Sequence, residues 1–221
     1  MNVKVIKTVF CVFILALLFP VACEAKFFGK KPQKEEVDIY ELSIDENIST
    51  PELGKQSKKI IPFQEKEEQY LKKYAEENGY PCDIERIRNK EVIMITVPAR
   101  CLFKPNETIL SDNGKEMLRV FLRYLNEKRL YKMVLAMHSD NTGNDVYTLD
   151  LTTKRVNSVY DWMGETDKSK TDRVVPYALG GNDPVVDNNS VENRDKNRRL
   201  VIYLIPDNAM INQAKRGKIV L

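Results

Sequence analysis

Tyr131-Lys132-Met133-Val134-Leu135-Ala136-Met137 runs without a break into His138-Ser139-Asp140-Asn141-Thr142-Gly143. The first seven residues are apolar apart from Lys132 and rich in strand formers, and the next six are a polar turn that must end the strand. Beyond the turn the period changes. Val156, Val159, Tyr160 and Met163 recur at spacings of three and four, which predicts a helix from about Val146 to Met163. A strand, a polar turn and an amphipathic helix make half of a βαβ unit, and Arg173 to Leu179 supplies the next strand.

Upstream, Ser111 is placed to cap a helix reaching about Lys128, with Met117, Leu118, Phe121, Leu122 and Leu125 as its apolar stripe. Asp83 to Arg88 turns through Asn89-Lys90 into Val92 to Val97, a hairpin pattern. Downstream, a polar loop from Gly180 to Asn193 leads to a last strand, Leu200 to Ile205. The expected fold class is α/β, an α+β sandwich with a βαβαβ-type mixed sheet covered by helices.

The N-terminus is of a different kind. Lys4 and Lys7 precede eleven apolar residues, Val9 to Phe19, and Pro20 and small residues follow. Eleven residues are too few to span a bilayer, which needs about 20. The pattern is that of a secretory signal over residues 1–25. Ala25, with Cys23 two positions earlier, offers a cleavage site; Val21-Ala22-Cys23 offers a lipobox-like alternative in which Cys23 is lipidated. Residues 26–80 are polar and charged, and are expected to form a tether with a short helix near Glu65–Asn78. Residues 81–206 carry the globular pattern, and residues 207–221 are expected to be a dispensable tail. In an oxidising compartment Cys82 and Cys101, near the open end of the hairpin, are expected to pair, with two buried free thiols as the alternative. Their spacing suits no zinc cluster, and neither a metal nor a cofactor is expected. A surplus of only three charges, 35 basic against 32 acidic residues, without a basic tract, excludes a nucleic-acid binder.

Three stretches together resemble the OmpA-like family of wall-binding domains. Cys101-Leu102-Phe103-Lys104-Pro105 through Gly114 resembles the family's opening strand and first helix. His138-Ser139-Asp140-Asn141-Thr142-Gly143, then Tyr147, Leu151, Thr152 and Arg155, is similar to its H-T-D-x-x-G, Y-N, L-S-x-x-R pattern. Arg194-Asp195-Lys196-Asn197-Arg198-Arg199 is similar to R-x-x-N-R-R. Met137 stands where the family usually has Gly, Ser139 where it has Thr, and Thr148 where Asn is common.

Asp140 follows the C-terminal end of a strand, where α/β sheets commonly hold ligands. Thr148, Leu151, Thr152 and Arg155 fall at i, i+3, i+4 and i+7, on one helix face. Taken singly, Asp140 is a turn-capping carboxylate and Arg155 part of a solvated helix face. Together they suit a zwitterion, with an ammonium on Asp140 and a carboxylate on Arg155. The resemblance implies peptidoglycan as the partner, held through the diaminopimelate of its stem peptides by Asp140 and Arg155. Asn141, Thr148, Leu151, Thr152 and Asn197 would be secondary contacts, and Phe103 a core residue beneath. The implied place is the periplasm, attached to the outer membrane if Cys23 is lipidated, with membrane contact only through that anchor. The alternative is a structural subunit of a surface-fibre, stator or secretion assembly, with envelope proteins as partners. His138 invites a hydrolase reading, but no second histidine or nucleophile set accompanies it, so no enzyme is expected.

Overall fold

The computed structural model describes residues 40–126, 128–165 and 171–220. The expected signal at 1–25, the Cys23 alternatives and residues 26–39 of the expected tether lie outside them. Five strands form one mixed sheet in the order β1-β2-β5-β3-β4: β1 is Asp83–Ile87, β2 Val92–Pro98, β3 Tyr131–His138, β4 Val174–Gly180 and β5 Arg199–Pro206. Only β3 and β4 run parallel, joined by helix α5, Asp145–Met163. The strand β5 is inserted antiparallel between β2 and β3, so the C-terminal strand lies at the centre of the sheet. The expected α/β class with a mixed sheet and helical cover is the fold observed.

The period-two alternation of the strands sorts side chains onto two faces. Ile93, Ile95, Met133, Leu135, Leu200 and Ile202 join the main core, which the helices cover. Its polypeptide also includes α3, Ala99–Leu102, α4, Asp112–Leu118, and a 3-10 turn at Arg119–Tyr124 that continues α4. Ser111 does cap α4, its hydroxyl accepting from the Gly114 N–H at 3.1 Å. Helix α6, Val191–Asn197, then occupies the end of the expected loop.

Two parts of the chain depart from the sequence expectation. Residues 57–77 are not a tether with a short helix but a 21-residue helix, α2, Ser57–Glu77. Ile60, Leu71 and Ala75 from it are buried in the main core. Burial of a side chain the size of Ile60 or Leu71 stabilises by about 1.5–3 kcal/mol. Its buried stripe also carries Gln64 and Glu67. Gln64 accepts from the Tyr131 hydroxyl and donates to the Glu91 carbonyl, and Glu67 accepts from Tyr124 at 2.9 Å. These partners offset the desolvation of two polar side chains. The 207–221 tail also belongs to the domain. Asp207 caps α7, Asn208–Lys215, and Met210, Ile211 and Ala214 are buried.

The other sheet face is covered by residues 44–48. Ile44 and Ile48, in and after the short helix α1, Ile44–Asn47, pack on Val92, Val134, Val175 and Ile205. Asn47 donates to the Tyr177 hydroxyl at 2.6 Å, and that hydroxyl donates to the Leu42 carbonyl at 2.6 Å. Lys132 donates to the Asn47 side-chain oxygen at 3.0 Å.

Cys82 and Cys101 are free thiols, correcting the expected disulfide. The β1–β2 ladder ends at Asp83 and Thr96, and the chain then leaves the sheet through Pro98 and coils into α3 before reaching Cys101. The two cysteines are therefore not cross-strand partners. Burial, then the neighbouring Cys101, pushes the Cys82 thiol up to about 11, and burial raises Cys101 as well, so both are protonated at neutral pH.

Candidate binding site

The site is assembled where β3 ends. At the junction of Met137 and His138 the β3–β4 register shifts, and the Ser139 N–H donates to the Gly180 carbonyl at 2.7 Å. This turns Asp140 off the end of the sheet. Asp140 is 3% exposed, and its Oδ1 accepts from the Thr142 N–H at 2.8 Å, the short-range bond that polar turns favour. Gly181 passes close behind it: a Cβ at that position would meet the Asp140 carbonyl oxygen at 2.6 Å.

Arg155 comes from the third turn of α5, which Asn144 starts by accepting from the Tyr147 N–H at 2.8 Å. Its side chain is 6% exposed. The Arg155 Nε donates to the Glu107 carbonyl at 2.9 Å, and its guanidinium carbon lies 4.9 Å from the centre of the Phe103 ring. Phe103, read as a core residue, is buried and is also the aromatic base on which the guanidinium rests. One edge of the guanidinium is thus fixed while the Nη groups have no hydrogen-bond partner among the described residues.

Asp140 and Arg155 line one cleft of about 650 Å³, together with Phe103, Tyr147, Leu151 and Arg198. The Asp140 carboxylate and the Arg155 guanidinium thus border the same cleft. Of the other expected contacts, only Leu151 lines the cleft. Asn141 is exposed on the turn outside it. Thr148, Thr152 and Asn197 are buried and serve as braces. The Thr152 hydroxyl donates to the Thr148 carbonyl at 2.9 Å and accepts from the Gly180 N–H at 3.1 Å, tying α5 to β4. The Thr148 hydroxyl donates to the Asp145 carbonyl at 3.2 Å. Asn197 accepts from the Val185 and Val186 N–H groups and donates to the Val186 carbonyl, pinning the 180–190 loop.

Arg198 is the residue whose part the sequence did not reveal. Its guanidinium pairs with Asp140 and also donates to Asp195 at 3.2 Å, and Asp195 pairs in turn with Arg100. Burial raises the Asp140 pKa, but the Thr142 N–H and Arg198 outweigh it, so the carboxyl sits below its ordinary value. Burial lowers the Arg155 pKa, opposed by Tyr147 and aided by Arg198, yet a guanidinium keeps its charge at neutral pH. Both charges are therefore present in the cleft, and any ligand ammonium must share Asp140 with Arg198. A carboxylate has about four acceptor positions, which leaves room for that sharing.

His138 is 2% exposed and does not line the cleft. Burial, then the nearby Arg199, pulls its pKa down to about 4, and its Nδ1 lies 3.6 Å from Asp183 without a hydrogen-bond partner. It is a neutral, enclosed imidazole at pH 7.

Comparison with known proteins agrees with this architecture. A putative MotB-like protein from Desulfovibrio vulgaris superposes with a TM-score of 0.59 at 21% identity, covering 68% of this chain and 99% of that one. A structure described as the cell wall anchor of the T6SS from Pseudomonas aeruginosa gives 0.54 at 20% identity, covering 63% and 97%. No curated protein matches the chain. The model of the OmpA family matches residues 102–198, a span that opens beside Phe103, contains Asp140 and Arg155 and closes on Arg198. Over residues 102–198 the chain is therefore similar to the OmpA family.

Proposed function

We propose that the domain binds peptidoglycan non-covalently through the diaminopimelate of its stem peptides and anchors an envelope assembly to the cell wall. The observation that carries this reading is the meeting of Asp140 and Arg155 in one cleft, each already oriented by the protein. The free end of diaminopimelate presents an ammonium and a carboxylate on one carbon. Asp140 takes the first and the Arg155 Nη groups take the second. The family match and a structural neighbour described as a cell wall anchor support the same reading.

The role is a grip without turnover. A charge-assisted hydrogen bond contributes about 1.5–3 kcal/mol. Two such contacts sum to about 3–6 kcal/mol, a dissociation constant between about 40 μM and about 6 mM. Peptidoglycan repeats the same stem peptide densely, so a chain tethered by a lipid on Cys23, or joined in an assembly, rebinds before it escapes. The place of action is the periplasm, with outer-membrane attachment if Cys23 is acylated.

The test is co-sedimentation of the exported chain with insoluble peptidoglycan. The wild type pellets with the wall, and the double variant Asp140→Ala/Arg155→Ala stays in solution while still unfolding in one cooperative transition, at a temperature lowered by the lost Glu107 and Phe103 contacts. A wild type that does not pellet, or a double variant that pellets equally well, refutes the proposal.

A further inference from the structure

A second surface shares no residue with the wall-binding cleft. The first half of α2 meets the last turn of α7, where Lys59 Nζ donates to the Ala214 carbonyl at 2.8 Å. The contact borders a shallow cleft of about 270 Å³, walled by Lys58, Lys59 and Lys66 on one side and by Gly217 and Ile219 on the other. Positions 58, 62 and 66 repeat every four residues, so they share one face of α2. Lys215, Arg216 and Lys218 adjoin the cleft along the chain.

All six cations are exposed, and none is ion-paired among the described residues. Elsewhere on the surface pairing is common: Lys72 with Glu68, Lys154 with Asp150, Arg86 with Glu68. The acids nearest on α2 are committed away from the cleft, Glu65 to Arg86 at 3.7 Å and Glu67 to Tyr124 in the interior. From Asn208 to Leu221 there is no Asp or Glu. The chain as a whole carries only three excess positive charges, so three lysines lining one cleft and three more cations on the segment that borders it are a local concentration.

The surface is also apolar between its cations. Pro62 is exposed, Phe63 and Ile219 are half-buried against the core, and Val220 is 40% exposed. A soluble polyanion would engage only the lysines and the arginine. A bilayer interface accepts both, with cations at the level of the phosphates and apolar side chains just beneath.

We infer that this face, formed by Lys58, Lys59 and Lys66 of α2 and the Lys215–Val220 segment, docks on an anionic phospholipid surface. The contact is peripheral: among the described residues no helix is long and apolar enough to cross a membrane.

The test is flotation of the exported chain carrying Cys23→Ser, which cannot be acylated, with vesicles of phosphatidylglycerol mixed with phosphatidylethanolamine. The chain floats with these vesicles and not with pure phosphatidylcholine, and raising salt from about 0.05 M to about 0.5 M releases it. At about 1 kcal/mol per surface cation, each charge removed weakens binding about fivefold. The triple variant Lys58→Gln/Lys66→Gln/Lys218→Gln is therefore weakened about a hundredfold, with an unchanged thermal transition. Val220→Ser weakens binding several-fold without altering its salt dependence. Equal binding to phosphatidylcholine, or full binding by the triple variant, overturns the inference. So does complete displacement by polyphosphate with no effect of Val220→Ser, which would mark a site for soluble polyanions.

Discussion

Replacing Arg155 by lysine separates the charge of the site from its geometry. The positive charge survives, but three features go. The Nε bond to the Glu107 carbonyl at 2.9 Å is lost, the planar contact 4.9 Å above Phe103 is lost, and so is the pair of parallel Nη donors. A hydrogen bond from a charged donor contributes about 1.5–3 kcal/mol and a partly desolvated cation–π contact about 0.5–2 kcal/mol. A lysine ammonium recovers part of both, so the net loss of folding stability is about 2 kcal/mol. Binding loses one of two parallel charge-assisted bonds, about 1.5–3 kcal/mol, which is roughly a 10- to 150-fold rise in dissociation constant. Urea denaturation measures the first quantity, and calorimetric titration with a diaminopimelate-containing stem peptide measures the second. If Arg155→Lys binds within about twofold of wild type, bidentate recognition of a carboxylate is refuted, whatever happens to stability.

Three further outcomes follow from the structure. The His138 pKa is depressed from 6.5 to about 4, so between those values the unfolded chain takes up a proton that the folded chain refuses. At about 1.4 kcal/mol per pH unit, stability is complete above pH 6.5 and falls by about 3 kcal/mol towards pH 4. His138→Gln should flatten that part of the profile in urea melts. Leu71→Ala, in the helix that replaces the expected tether, should cost about 2–5 kcal/mol in the same assay, whereas a tether residue would cost nothing measurable. Gly181→Ala forces a Cβ against the Asp140 carbonyl and should cost about 1–3 kcal/mol while weakening wall co-sedimentation, since it displaces the turn that aims Asp140.

What was legible in the sequence was what local periodicity and short-range spacing encode. The strand at Tyr131, the turn at Asp140 and the helix carrying Arg155 are consecutive in the chain, and their boundaries fall within a residue or two of the observed β3 and α5. The α2 helix was harder because its inward stripe is not purely apolar. Gln64 and Glu67 occupy positions where a hydrophobic pattern requires hydrophobic residues, and Tyr131, Glu91 and Tyr124, which satisfy them, come from elsewhere in the chain. Pro62 and the flanking lysines hid its first turns. Arg198 was illegible for a similar reason. Its pairing with Asp140 spans 58 residues and arises only because β5 is threaded between β2 and β3. Helix periodicity also placed Thr148 and Thr152 on the correct face of α5 but could not say that this face is shared between a cleft and a β-strand. Leu151 and Arg155 reach the cleft, and the two threonines brace Gly180 and the α5 backbone.

The most direct test lies on the ligand side. Calorimetric titration of the chain should compare a stem tripeptide ending in diaminopimelate with the same peptide ending in lysine, whose side chain keeps the ammonium and lacks the adjoining carboxylate. If Asp140 and Arg155 together hold the two charges of one amino-acid end, the diaminopimelate peptide binds at least about tenfold more tightly. Equal affinity for the two peptides would contradict it.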